Sequence, residues 1–407
     1  MEDVPMRKVV LLGLLVAMMT AIMGSTQAQD EFVFGVILVG PANDRGWSQS
    51  HFEAAEYIEA NFEGATKLIF ESLNPADAPE TTLLEVVTEM VDFGAQVIFT
   101  ASDAFEEDTT IVAAAFPDVV FINITGSNVL DGAPENVGNF NGIMEAPRQI
   151  AGCAAALTTE TGHIGYLGAL INAETRRLAA SSYLAARYCY EKYAGGDPDD
   201  LVFTVTWIGF WFNIPGVTLD PTEVANEFFN QGADVIISGI DTTEAIVVAG
   251  QRTSEGQRAF AIPYGNAGGC NEAPESCLGV AYYNWGPAYL DLINSVVDGT
   301  WEQSWDWIAP VWDEVDETGY YTGADTSIIG YLHGEGASEE VRATLDEFVA
   351  ELAAFEETEE AAETLFLWEG PINFQDGTEL VAEGEHAELL DIWFLEQLLE
   401  GMIGASN

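Results

Sequence analysis

The sequence predicts an α/β protein of two similar lobes, each a parallel sheet wrapped by helices. Three observations predict it. From Phe32 onward short apolar strand runs alternate with segments of helical period. Two stretches nearly repeat each other, "FGAQVIFTASD" and "QGADVIISGID". The chain has 407 residues, more than one compact core usually serves.

The first half-pattern begins with "FVFGVILVG", a buried strand that stops at Gly40-Pro41. A polar loop with Asp44, Arg45 and Trp47 follows, and then Phe52, Ala55, Ile58 and Phe62 recur at helical spacing. "TKLIFES" is the next strand. "PETTLLEVVTEMVDFG" is a helix with Pro79 at its start and Gly94 past its end. "AQVIFTASD" is a strand, Ala104 to Phe116 a helix and "DVVFINITG" a strand. Such alternation means a parallel sheet with helices on its faces.

The pattern then recurs. Glu145 to Thr159 is a bridging helix, "HIGYLGAL" a strand, Glu174 to Tyr193 a helix and "LVFTVTWIG" a strand. Asp220 to Gln231, Thr243 to Thr253, and the strands "ADVIISGID" and "RAFAIPYG" complete it. "YYNWGPAYLDLINSVVDGTW" reads as a strand, a tight turn at Trp285 and a helix. Ser338 to Glu363 is an acidic surface helix, and Leu365 to Glu385 a closing hairpin. The expected division is a targeting segment over 1–28, a first lobe over 29–141 and a second over 142–268. A return to the first lobe follows over 269–305, and 306–407 completes the second lobe with a hairpin and helices.

Residues 1–28 have the form of a signal peptide. Arg7-Lys8 precede an apolar run from Val9 to Gly24, short for a membrane helix, and small residues offer cleavage after Ala28. The mature chain is expected to be exported and soluble. Export permits disulfides. Cys270 and Cys277 flank a short polar loop and form the easy local pair, which leaves Cys153 with Cys189. The cysteine spacings and the scattered His51, His163, His333 and His386 do not suit a metal site, and no cofactor is expected.

Charge narrows the partners. With 67 acidic against 12 basic residues the formal net charge is −55. That leaves no basic footprint for nucleic acid and disfavours anionic membranes. Solubility explains the acidity, and a saline habitat is the sharper alternative, consistent with only Lys8, Lys67 and Lys192. No Gly-x-Gly-x-x-Gly follows the first strand, and neither a P-loop nor a Gly-x-Ser-x-Gly elbow occurs.

The candidate site follows from topology. In open parallel sheets, ligands bind beyond the carboxyl ends of the strands. Asp44, Trp47, Asp103, Asn123, Trp211 and Asp241 all follow strand ends, and His51 lies one turn beyond Trp47. In "WIGFWFNIPG", core packing accounts for two of Trp207, Phe210, Trp211 and Phe212. A flat ligand between Trp47 and Trp211 would cover both rings. The carboxylates suit hydroxyls, ring N–H groups or amines and would repel an anion. Arg45 reads as a loop or inter-lobe salt-bridge residue.

Five segments in order, "VGPANDRGWSQSH", "FNGIMEAPRQIAGCAAALTTETGHIGYLG", "NQGADVIISGIDT", "YYNWGPAYLDLINSVVDGTW" and "WEGPINFQDGTELVAEGE", resemble the basic membrane protein family of ABC-transporter solute-binding proteins, which includes purine nucleoside receptors. The resemblance implies a type I periplasmic-binding-protein fold, closure of two lobes on a nucleoside or nucleobase, and delivery to ABC permease subunits by a monomer. It implies ligand contacts from Asp44, Trp47, Asp103, Trp211 and Asp241, with Asn266 in the crossover segment and Trp285 in a family motif. The sequence departs from the family in two places. The crossover reads "YGNAGGC" rather than Gly-x-Asp-x-Asp with a nearby Lys, which leaves free base, nucleoside, another polar heterocycle and sugar open. No cysteine stands at the cleavage site for a lipid anchor. An exported nucleoside hydrolase would need a tight carboxylate cluster on one lobe, whereas these carboxylates lie on both. A ligand-sensing subunit for a signalling receptor has the same sequence signature as a transport one.

Overall fold

The computed structural model describes residues 32–313, 315 and 319–407; the expected signal peptide lies outside the described residues. The first sheet has six parallel strands. β1 (Phe32–Leu38) lies between β2 (Ala65–Phe70) and β3 (Ala95–Ala101). β4 (Val120–Ile124), β5 (Val137–Gly142) and, from far along the chain, β12 (Trp305–Ile308) continue beyond β3. β1 is buried along its whole length, as its unbroken apolar run requires of a strand covered on both faces.

The second sheet repeats the first. β6 (His163–Gly168) lies between β7 (Val202–Trp207) and β8 (Val235–Gly239), with β9 (Phe260–Ile262) beyond β8. The spatial orders β2-β1-β3-β4 and β7-β6-β8-β9 are the same, and every pairing is parallel. The strand order therefore reverses at β1 in one lobe and at β6 in the other. A small third sheet, β10 (Tyr264–Gly265), β11 (Gly279–Tyr283) and β13 (Ile329–His333), lies in the crossover region. The chain finishes with the hairpin β14 (Ile372–Asn373) and β15 (Glu379–Val381), and then β16 (Met402–Ile403) joins β7 at the edge of the second sheet.

Helices follow the strands in order: α1 (Trp47–Asn61), α2 (Leu83–Asp92) and α3 (Glu106–Ala115) in the first lobe, α4 (Glu145–Thr158) as the bridge, and α5 (Ala173–Lys192), α6 (Pro221–Asn230) and α7 (Glu244–Ser254) in the second. α8 (Gly286–Val297) packs on α1, α9 (Glu339–Glu356) packs on α4, and α10 (Leu389–Trp393) packs on α5. No described helix is long and apolar enough to cross a membrane. α2 begins later than Pro79 suggests. Thr82 and Glu85 form a reciprocal capping box that satisfies the first free amides, which fixes the start at Leu83. β5, β12, β13 and β16 have no counterpart in the sequence-level reading. They are short, and "VGNFNG" carries two asparagines and two glycines that hide its strand character.

Cys153 on α4 and Cys189 on α5 are bonded, as are Cys270 and Cys277 in the crossover. The first of these clasps two helices that pack along each other behind the second sheet.

Candidate functional site

The two lobes meet around a narrow cavity at the carboxyl ends of both sheets. Val39, Trp47, Ser102, Asp103 and Thr125 line it from the first lobe, Glu174, Trp211 and Asp241 from the second, and Tyr264 from the crossover.

The loop after β1 is built by its own side chain. Asp44 accepts hydrogen bonds from the amides of Gly46, Ser48 and Gln49 at 2.9, 2.9 and 3.0 Å, so both of its carboxylate oxygens are engaged with the start of α1. Burial raises the Asp44 carboxyl, and these amides oppose the rise. Asp44 thus stands off the cavity wall as a cap, because the exposed amides of a helix start are its nearest donors. Arg45 lies against Glu272 of the crossover segment.

Trp47 is held from two sides. Its indole N–H donates to the carbonyl of Ala101 at 2.8 Å. Its edge meets a column of stacked rings, Tyr283 on Trp285 on His51 on Tyr289 on Phe99, with centroids 4.5, 4.7, 5.8 and 3.8 Å apart. Trp47 stands at steep angles to the first three of these rings. The column fixes where two expected site residues lie. His51 and Trp285 do not line the cavity; they are the packed support behind Trp47. His51 bonds the Tyr289 hydroxyl through Nδ1 at 2.7 Å, and complete burial pushes its ring well below the usual histidine range.

Asn123 and Asn266 are engaged by the protein's own groups. The Asn123 amide donates to the carbonyls of Thr100 and Ser102 and to the Thr100 hydroxyl, which ties the end of β4 to that of β3. Asn266 donates to Glu53 on α1 and accepts from the Gly268 amide. Short amides at strand ends satisfy backbone groups first, and the Asn123 NH2 group is taken up in this way, while its Oδ1 is buried without a partner among the described residues.

Asp103 and Asp241 do line the cavity. Asp103 accepts from the Ser102 hydroxyl at 3.2 Å and, across the cleft, from Asn172 at 3.1 Å. Asn172 is also the cap of α5, accepting from the Thr175 amide at 2.8 Å. Burial raises the Asp103 carboxyl. Asp241 lies buried against its lobe through its amide, which donates to the Trp211 carbonyl at 2.9 Å. Burial pushes its carboxyl well above the usual range, and the nearby charges of Asp44, Glu174 and Asp103 add to the rise. The lobes touch directly here. Gly46 is so close to the Asp241 carbonyl oxygen that a Cβ on it would come within 1.9 Å.

Glu174 and Tyr264 are cavity residues that strand-end reasoning passed over. Glu174 sits in the first turn of α5, and burial lifts its carboxyl to about 8 against the opposing pull of Arg177. The signal was available: β6 occupies the place in its sheet that β1 has in the other, so the loop after β6 and the start of α5 belong to the ligand-facing edge. Tyr264 rests on the buried Arg148 guanidinium, 4.5 Å from its ring, and its hydroxyl lies 3.3 Å from that of Tyr283.

Comparison with known proteins agrees with this architecture. Residues 32–315 match the family model described as ABC transporter substrate-binding protein, PnrA-like. A purine-binding protein of Brucella abortus is 29% identical over 377 residues, covering 90% of this chain and 91% of the relative. A Haloferax volcanii protein named as a candidate ABC transporter glucose-binding protein is 27% identical over 274 residues, 67% of this chain and 62% of the relative. An ABC-transporter solute-binding protein of Conexibacter woesei superposes with a TM-score of 0.57 at 19% identity, covering 80% of this chain and 98% of the other. The fold is that of type I periplasmic binding proteins.

Proposed function

Because the chain belongs to the family of PnrA-like ABC transporter substrate-binding proteins, we propose that it captures a purine, as base or nucleoside, between its lobes and presents it to a membrane permease outside the cytoplasm. The observation that carries this reading is the inter-lobe cavity, where Trp47 and Trp211 supply apolar ring surface and Asp103 and Asp241 supply acceptors from equivalent strand ends of the two lobes. A purine offers the matching chemistry of two flat faces and an edge of N–H donors. Each ring contact contributes about 0.5–1.5 kcal/mol beyond area burial, and micromolar binding needs about 8 kcal/mol in all. The purine-binding relative in Brucella, aligned over nine-tenths of this chain, supports the same ligand class.

Closure of the lobes would bury the ligand and create the form a permease recognises. The Haloferax relative named for glucose supports a second reading, since the same carboxylates accept sugar hydroxyls. Thermal-shift screening of bases, nucleosides, sugars and amino acids, followed by calorimetry on the hits, separates the two. A purine is expected to raise the melting temperature and glucose to leave it unchanged; the reverse result would replace the purine by a sugar.

A further inference from the structure

The chain crosses from the first lobe to the second between Gly142, the last residue of β5, and Glu145, the first of α4. Arg177 of α5 is planted against that crossing. It is 2% exposed, and its Nε donates to the Glu145 carboxylate at 2.7 Å. Its Nη1 donates to the Trp393 carbonyl at 3.1 Å. Its guanidinium carbon lies 4.1 Å from the Trp393 ring and 5.6 Å from that of Trp307. Trp393 in turn meets Trp305 and Trp307 edge to face, with centroids 4.9 and 5.0 Å apart.

These rings belong to different lobes. Trp305 and Trp307 are on β12, which pairs with β5 in the first sheet. Trp393 ends α10, and its segment is tied to the second lobe. Arg176 donates to the carbonyls of Ser406 and Leu395 at 3.0 and 2.7 Å, Trp207 donates to that of Ala405 at 2.7 Å, and β16 pairs with β7. Hinge motion turns one lobe about the crossings, so opening has to shift Trp393 against Trp305 and Trp307. Arg177 and Glu145 are both out of water, and Oε2 of Glu145 has no partner among the described residues. Parting them leaves a buried charge uncompensated, which resists movement of α5 away from the crossing. Glu174, three residues before Arg177, lines the cavity, so one helix start serves both the hinge and the ligand. Trp393 lies beyond residues 32–315, which match the family model.

We propose that Trp393 and Arg177 form a latch at the crossing, by which the C-terminal segment holds the lobes in their closed arrangement and sets how fast a bound ligand leaves. Both are positioning residues, since neither lines the cavity. Trp305 and Trp307 are the half of the latch on the first lobe, and Trp393 on Arg177 is the half on the second. The latch acts on closure, so it rests on the reading that the lobes close over a ligand and holds for a purine or a sugar alike.

The experiment compares the natural protein with Trp305→Ala and Arg177→Lys, each as the full mature chain, with adenine, adenosine and glucose as probes. Trp305 is half-buried on an edge strand, so its loss removes a ring contact between the lobes and leaves Arg177 with its partners. Lysine keeps the charge but loses the flat face and the forked donors that reach Trp393. Stopped-flow fluorescence is expected to show a bound probe leaving both variants about fivefold faster or more, with association within about twofold of the natural rate. Melting temperatures of the ligand-free proteins show that each is folded. A residue that only stabilises the fold would lower the melting temperature and leave dissociation unchanged, and that outcome in either folded variant overturns the latch. Should one variant fail to fold, the other decides. If no probe binds, the ligand reading above falls, and small-angle scattering of the ligand-free proteins decides instead. Larger radii of gyration in the variants then support the latch, and equal radii overturn it.

Discussion

Asp103 and Asp241 hold the same position in two copies of one motif. Each stands two residues past the end of the strand next to the central one, β3 in one sheet and β8 in the other. Each follows by nine positions a glycine that ends a helix with positive φ, Gly94 at 98° and Gly232 at 105°. Equivalence of place does not make them equivalent in environment, since Asp103 accepts from Asn172 of the opposite lobe and the Asp241 carboxylate has no donor among the described residues. Asp241→Asn is therefore expected to weaken the ligand by tenfold or more while leaving the ligand-free protein as stable or more stable. Asp103→Ala is expected to weaken the ligand and also to loosen lobe closure by releasing Asn172. Calorimetry combined with small-angle scattering of the ligand-free variants distinguishes the two; equal radii of gyration would argue against the Asn172 strap.

The two tryptophans should also part company on mutation. Trp211→Ala removes a ring at the cavity wall, so dissociation constants rise about tenfold or more, equivalent to about 1.4 kcal/mol. Trp47→Ala removes the same kind of contact and in addition leaves a gap beside Tyr283, Trp285 and His51. Large-to-small changes at packed aromatics cost roughly 3–5 kcal/mol, so this variant melts lower as well. Trp47→Phe keeps most of the packing and tests the clamp alone. If Trp211→Ala and Trp47→Phe both keep full affinity by calorimetry, the ring-clamp reading is wrong.

The lobes, their duplication and four of the cavity residues were legible because each depends on a local pattern. Strand runs, helix-ending glycines and polar residues just past strand ends are all short-range signals, and they locate Trp47, Asp103, Trp211 and Asp241. What separates Asp44, Asn123 and Asn266 from these is the set of hydrogen-bond partners around each side chain: Asp44 accepts from the amides of its own loop, whereas Asn123 and Asn266 donate to groups distant in sequence, the Thr100 and Ser102 carbonyls and the Glu53 carboxylate. His51 and Trp285 lie behind the cavity wall for a similar reason. A polar-loop aromatic or histidine looks uncovered in sequence, but rings from α1, β3, β11 and α8 converge to cover these two. Glu174 was read only as a helix start. The duplication that made Asp103 and Asp241 a pair also places β6 opposite β1, and that step leads to it.

Gly46 sets how far the cleft can close. Its backbone packs against the Asp241 carbonyl, and a methyl group there would sit 1.9 Å from the oxygen, well inside van der Waals contact. Gly46→Ala should therefore fold normally and keep its melting temperature without ligand, while the lobes stop short of contact. Affinity for the purine is expected to fall tenfold or more, chiefly through faster dissociation, as stopped-flow fluorescence of Trp47 and Trp211 would reveal. A dissociation rate equal to that of the natural protein would mean that the Gly46 contact does not control closure.

The pH dependence of stability follows from Glu174 with a definite sign. Its ordinary value is 4.5 and burial lifts it to about 8 in the folded state. Between those values the folded protein keeps a proton that the unfolded chain has released, so the unfolded state binds fewer protons and stability falls as pH rises. The contribution of this group is full below pH 4.5 and is lost by the time pH passes 8, with a ceiling of about 1.4 kcal/mol per pH unit. Glutamine at 174 cannot ionise, so the melting-temperature advantage of Glu174→Gln over the natural protein should be near zero at pH 5 and should grow toward pH 9. A donor-bearing ligand stabilises the ionised carboxylate and so acts in the opposite sense. Its stabilising effect on the natural protein is expected to increase from pH 6 to pH 8, with proton release on binding measurable by calorimetry in buffers of different ionisation enthalpy. A stability difference between the two proteins that stays flat across this range would show that Glu174 is ionised in the folded protein throughout.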